Sequence, residues 1–66
     1  MKYIVEYTRD LGHETLRVAE LIGNRMRIIH GPTCMPGWEF YTWLEADTDE
    51  QAMREFARVC YGIGRT

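Results

Sequence analysis

The first candidate for chemistry is a prolyl loop that carries an imidazole, a thiol and a thioether within six residues, His30, Cys34 and Met35. These are soft ligands that suit Cu(I), zinc or haem iron. A structural zinc site needs four protein ligands, and only His13 and Cys60 could complete one. Because Cys60 falls on the apolar stripe of a predicted helix, we expect no metal and no cofactor here.

A second candidate is nucleophilic catalysis by Cys34. A reactive thiol needs a base or a positive field that lowers its pKa, and His30 is the nearest base in sequence. The sequence offers no recognisable third member and no oxyanion device. With two cysteines the chain is also too poor in thiols for a disulfide scaffold. We therefore expect Cys34 and Cys60 to be free thiols and the chain not to be an enzyme.

A third candidate is a group of carboxylates around the start of the last predicted helix, Glu45, Asp47, Asp49 and Glu50. Acid–base chemistry is one interpretation. A capping box and the positive end of a helix dipole already explain these residues. An acidic patch that competes with nucleic acid for a basic partner remains an alternative.

The aromatic segment after the prolyl loop is the sharpest signal in the sequence. Its residue types favour a strand, and alternation predicts two faces. We expect a core face of Trp38, Phe40, Thr42, Leu44 and Ala46. The other face holds Glu39, Tyr41, Trp43 and Glu45. Two large aromatics framed by carboxylates are unusual on a solvent face and suggest a function.

We expect this second face to be shared with neighbouring strands, which gives a predicted binding surface of Tyr3, Tyr7, Arg25, Arg27, Tyr41 and Trp43. Exposed apolar patches on small domains mark interaction sites, and Tyr, Trp and Arg are common hot-spot residues. Placing Tyr3 on this face turns Ile4 inward and buries Glu6, so the register of the first strand stays open. In the alternative interpretation the chain's own loop or first helix covers the face, and Trp43 is ordinary core.

Length and composition bound these possibilities. Sixty-six residues form one small domain, 1–66, of marginal stability. No apolar stretch approaches the ~20 residues of a membrane span, and Glu6 interrupts the only N-terminal apolar run. We therefore expect a cytoplasmic protein that does not enter a membrane. The net charge of −2 gives no general attraction to nucleic acid.

Four further segments position these residues. Strands are predicted over 2–8 and 25–30, and in the latter Met26 and Ile28 point away from Arg25 and Arg27. Residues 13–22 suit a helix by composition, although a strand leading into a Gly23-Asn24 turn is also possible. The last helix begins at a Thr48–Gln51 capping box, runs from Asp49 to about Tyr61 and ends at Gly62.

These elements predict an α+β fold: a three- or four-stranded, mainly antiparallel sheet with a C-terminal helix on one face, in βαββα or ββββα order. The predicted function is a small non-enzymatic interaction module, such as a regulator or inhibitor. It would form a homodimer or dock on another protein through the aromatic and arginine face. The alternative is a single-stranded nucleic-acid-binding protein that uses the same face.

Overall fold

The computed structural model of the chain describes residues 2–10, 13–33 and 37–64. Its elements are β1 (Lys2–Asp10), β2 (His13–Ile22), β3 (Arg25–His30), β4 (Glu39–Leu44) and the helix α1 (Asp49–Gly64). The strands form one antiparallel sheet in the order β3-β2-β1-β4, and α1 packs on one face. The predicted α+β fold is confirmed in its ββββα form.

The preferred prediction of a helix over 13–22 is wrong, because this segment is β2. It pairs with β1 along its whole length and leads through Gly23-Asn24 into β3, with Gly23 at φ 62°. As a strand it places Glu20 on the core side of the sheet, beside Tyr3. Arg27 on β3 neutralises this carboxylate, with Nη2 donating to Glu20 Oε1 at 2.6 Å.

The core lies between the sheet and α1. Its buried side chains are Tyr3, Val5, Val18, Ala52 and Phe56, and half-buried residues such as Leu16, Ile29 and Leu44 surround them. Tyr3 and Val5 therefore face the helix, and alternation turns Ile4 and Glu6 to the opposite face. The register that the predicted binding surface required, with Ile4 under the helix and Tyr3 turned outward, is wrong.

The start of α1 has nearly the predicted cap. The backbone N–H of Gln51 donates to Thr48 Oγ1 at 3.2 Å. The Gln51 side chain accepts from the Asp47 amide at 2.8 Å, one residue earlier than a capping box requires. The helix continues through Gly62 to Gly64, so the predicted end at Gly62 is wrong. A glycine inside a last turn costs only about 1 kcal/mol relative to alanine, which the fold tolerates.

The connection between β3 and β4 determines which part of the sheet is open. These strands lie at opposite edges of the sheet, so the chain must pass across the ends of β2 and β1. In the described parts of this connection, 31–33 and 37–38, Pro32 and Trp38 contact Arg17 on the face away from α1. Gly31 and Pro32 also border a pocket with Phe56 and Cys60 of α1, so the connection starts at the rim between the two faces. We call the face away from α1 the open face.

Candidate interaction surface on the open face of the sheet

A β-bulge decides which aromatic side chains reach the open face. In the β1–β4 ladder, Val5 pairs with Thr42 and Glu6 pairs with Phe40, which leaves Tyr41 as the extra residue. Because of the bulge, Phe40 lies on the same face as Trp43. It leaves Tyr41 on the helix side, with its ring 6.0 Å from that of Tyr7. The prediction that Phe40 belongs to the core face is therefore wrong.

Phe40 and Trp43 form an exposed pair of rings on the open face. Their centroids are 5.2 Å apart, and the residues are 52% and 56% exposed. Lys2 Nζ lies 5.8 Å from the centre of the Trp43 ring, within cation–π range. Cross-strand pairing and alternation place Leu21, Met26 and Ile28 on the same face, together with Ile4, which is buried at 5% exposure. We call these six apolar residues, Phe40 and Trp43 included, the aromatic patch.

The other half of the open face is covered by the chain itself. Arg17 Nε donates to Glu6 Oε1 at 2.8 Å, and both side chains are almost buried, at 11% and 12% exposure. The Trp38 ring stacks on the guanidinium, whose carbon lies 4.1 Å from the ring centre. Arg17 Nη1 also donates to the Pro32 carbonyl at 3.4 Å. The predicted alternative of a face covered by its own loop thus holds for this half and not for the aromatic patch.

Gly31 is what allows the connection to lie so close to the sheet. A Cβ atom at this position would come within 2.5 Å of Arg17 Cβ and 2.9 Å of Arg17 Cα. The backbone also has φ 122°, which side-chain-bearing residues rarely adopt. Only glycine fits over the buried ion pair.

The six residues of the predicted binding surface do not share a face. Trp43 lies on the open face. Tyr3 is fully buried under the helix, Tyr7 and Tyr41 contact each other on the helix side, and Arg27 bonds to Asp49 of α1. Arg25 is exposed, and alternation places it on the same side of the sheet as Arg27. The shared face is therefore a wrong prediction, because it assumed an unbulged β4 and Tyr3 turned outward.

The predicted binding surface lacked five residues of the aromatic patch: Ile4, Leu21, Met26, Ile28 and Phe40. For Met26 and Ile28 a signal exists, since they alternate with arginines in β3 and must occupy the opposite face. For Phe40 none exists, because its position depends on the bulge.

The helix side carries a polar cluster instead of a binding face. Tyr3 OH donates to Asp49 Oδ1 at 2.8 Å, and Arg27 Nη2 donates to the same carboxylate at 2.7 Å. Burial and the bond to Asp49 raise the pKa of Tyr3 to about 12. The bonds from Arg27 and Tyr3 lower the pKa of Asp49. Each group stabilises the charge state of the others, which makes this cluster a structural link between sheet and helix.

The thiol and metal candidates of the sequence form no cluster of metal ligands among the described residues. Cys60 is a half-buried free thiol whose pKa is raised by burial, which makes it less nucleophilic. Within the described ranges no three His, Cys, Asp or Glu side chains come together as metal ligands would. Cys34 and Met35 lie outside the described residues. No described helix has the length and apolar character needed to cross a bilayer.

Comparisons with known proteins add no family to these observations. Neither family models, nor curated proteins, nor solved structures gave a match to the chain.

Proposed function

We propose that the chain is a small non-enzymatic protein-interaction module that docks through the aromatic patch. The observation that carries this proposal is the pair of adjacent, more than half-exposed rings of Phe40 and Trp43 on the face opposite the helix. The helix covers one face of the sheet, and Pro32 and Trp38 of the β3–β4 connection lie over Arg17 on the other. On that second face Phe40, Trp43 and Met26 stay exposed, at 52%, 56% and 40%.

The size of the exposed aromatic surface supports docking energetically. Half-exposed Phe and Trp side chains together offer about 200 Å² of apolar surface. Removing that surface from water contributes about 5 kcal/mol at 25 cal/mol per Å², before the entropic cost of association is subtracted. Paired aromatics near a few aliphatic side chains are the usual composition of an interface hot spot.

The charges near the aromatic patch favour a protein over a nucleic acid. Single-stranded nucleic-acid sites combine aromatic rings with cations that meet the phosphates. Arg25 and Arg27 lie on the other side of the sheet, and the guanidinium of Arg17 is nearly buried and paired with Glu6. Among the described cations this leaves Lys2 beside the patch. The single-stranded nucleic-acid alternative thus has less support than a protein partner.

The first test separates a docking surface from ordinary core. Trp43→Thr keeps a strand-favouring residue and removes the ring. At protein concentrations too low for association, we expect it to cost about 1 kcal/mol, a shift of about 4–8 °C in melting temperature. Trp43→Thr protein that is unfolded when dilute would show that Trp43 belongs to the core and would end the proposal.

The second test measures binding. The wild-type chain, Trp43→Thr and Tyr41→Thr are immobilised and compared for capture of proteins from cells that express the chain, followed by titration with each purified captured protein. Tyr41 is the matched control, since it lies on the same strand, is 45% exposed and faces the helix side. The proposal predicts that Trp43→Thr weakens binding at least about 30-fold and that Tyr41→Thr changes it little. Equal effects of both substitutions would contradict it.

A further inference from the structure

We infer that the protein which covers the aromatic patch is a second copy of this chain, docked sheet against sheet in a symmetric dimer. This inference rests on the proposed function and specifies its partner. Three properties of the open face carry it: its charge balance, its area and the protection of the sheet edges.

The charge balance of the open face suits contact with itself. A two-fold axis brings the same patch of each copy together, so a patch of one sign would repel its own copy. Glu6 and Arg17 neutralise each other within the chain, and Lys2 lies against the ring of Trp43. The rows between them are apolar, Ile28-Ala19-Ile4-Trp43 and Met26-Leu21. Ala19 and Ile4 are buried in these rows, and the other four side chains are half-buried or exposed. Such a face offers little to a highly charged partner and is complementary to an identical apolar face.

The area of the patch predicts a weak dimer. Four strands span about 19 Å at a spacing of about 4.8 Å, and Pro32 and Trp38 lie over the end of the face that holds Arg17, which leaves roughly half its length open. Two such half-faces bury on the order of 1,000 Å² in total, which is below the standard size of a stable interface. We therefore expect a dissociation constant on the order of 10–100 µM.

The sheet edges favour face packing over edge pairing. β4 is bulged at Tyr41 and β3 at Ile29, and bulges make a strand a poor template for a further strand. The edge strand β3 also carries Arg25 and Arg27, and charged side chains protect an edge. Packed faces lie about 10 Å apart and interdigitate their side chains, which buries Phe40 and Trp43.

Sedimentation equilibrium from about 1 µM to about 1 mM on the full chain tests the inference. We expect the wild type and Tyr41→Thr to change from monomer to dimer within this range, and Trp43→Thr to raise the dissociation constant at least about 30-fold. A wild-type mass that stays monomeric at about 1 mM would overturn the inference. Equal weakening by Tyr41→Thr would also overturn it, because Tyr41 faces the helix side.

The arrangement is tested by isotope-filtered nuclear Overhauser effects in a mixture of labelled and unlabelled chains. Face packing predicts contacts between the Trp43 ring of one copy and methyl groups of Met26 or Ile28 of the other. Contacts between the backbones of two β4 strands would show edge pairing and overturn the face-to-face arrangement.

If the chain stays monomeric while a Trp43-dependent partner is still captured, the second copy is wrong and the proposed function stands. If Trp43→Thr is unfolded at low protein concentration, both the dimer and the proposed function are wrong.

Discussion

Tyr3 and Asp49, 46 positions apart in the chain, are joined by a hydrogen bond of 2.8 Å from the tyrosine hydroxyl to Oδ1. The bond links the first residues of β1 to the first turn of α1. Arg27 binds the same carboxylate from β3. The start of the helix is thus fixed to both a central and an outer strand, and the helix is kept on one face, away from the aromatic patch.

The Tyr3–Asp49 bond predicts a specific loss of stability in alkali. The pKa of Tyr3 is raised to about 12 in the folded chain, compared with about 10 when unfolded. Its contribution is therefore fully present below about pH 10 and is lost as the pH rises toward 12. Urea midpoints measured between pH 8 and 12 should fall less steeply for Tyr3→Phe than for the wild type. Identical slopes would show that Tyr3 does not couple folding to pH.

The buried Glu6–Arg17 pair predicts strong coupling between its partners. Glu6→Leu leaves an almost buried guanidinium without its carboxylate and should cost about 3–5 kcal/mol. The double variant Glu6→Leu/Arg17→Met removes both charges and should recover most of this loss. A urea-denaturation double-mutant cycle gives the coupling energy. Additive effects of the two substitutions would contradict a buried pair.

The fold could be predicted from the sequence where local signals and tertiary packing agree. The aromatic and β-branched run of β4, the strand pattern of β1 and the Thr48–Gln51 cap all gave the right element. The nature of β2 could not be settled, because its Glu, Leu, Arg and Ala residues favour a helix. What makes it a strand is pairing on both sides and a partner for Glu20 on the neighbouring strand β3, and neither can be read from residues 13–22 alone.

The candidate site was predicted only in part, for a different physical reason. Side-chain alternation has a period of two, so one extra residue reverses every assignment beyond it. The bulge at Tyr41 reverses Phe40 relative to Trp43, and no glycine or proline within β4 marks it. Trp43 lies on the face away from the helix, as predicted, because it follows the bulge in sequence and alternates directly with Leu44. Tyr3 and Arg27 were misplaced because their partner, Asp49, lies far away in sequence.

The close approach of Gly31 to Arg17 predicts that alanine is more destabilising at Gly31 than at Gly23, although both glycines have a positive φ. Gly31→Ala places a methyl group against the Arg17 backbone and should cost more than about 2 kcal/mol. Gly23→Ala is the control, because its φ is also positive and no atom lies within 4 Å of the new Cβ; it should cost about 1 kcal/mol. The difference in thermal midpoint measures the clash. Equal losses would show that the β3–β4 connection does not lie tightly on the sheet.

Phe56 is the main anchor of α1, and its removal is predicted to destabilise the fold strongly. It is 6% exposed and meets the His30 ring at 6.1 Å. Phe56→Ala should cost about 3–5 kcal/mol and leave so small a domain largely unfolded. Arg58→Ala on the same helix, with a 72% exposed side chain, should change the melting temperature little. An unchanged melting temperature in Phe56→Ala would mean that the helix packs through another face.

The most direct measurement of the central claim compares the two tryptophans in one protein. A soluble paramagnetic agent speeds the relaxation of exposed protons, and the two indole signals can be followed by NMR without any substitution. In dilute monomer we predict rapid relaxation for the exposed Trp43 ring and slow relaxation for the Trp38 indole N–H, whose nitrogen is buried. Trp43 should become protected when its partner binds, and Trp38 should not change. Equal protection of both rings in a verified monomer would show that no docking surface is open at Trp43.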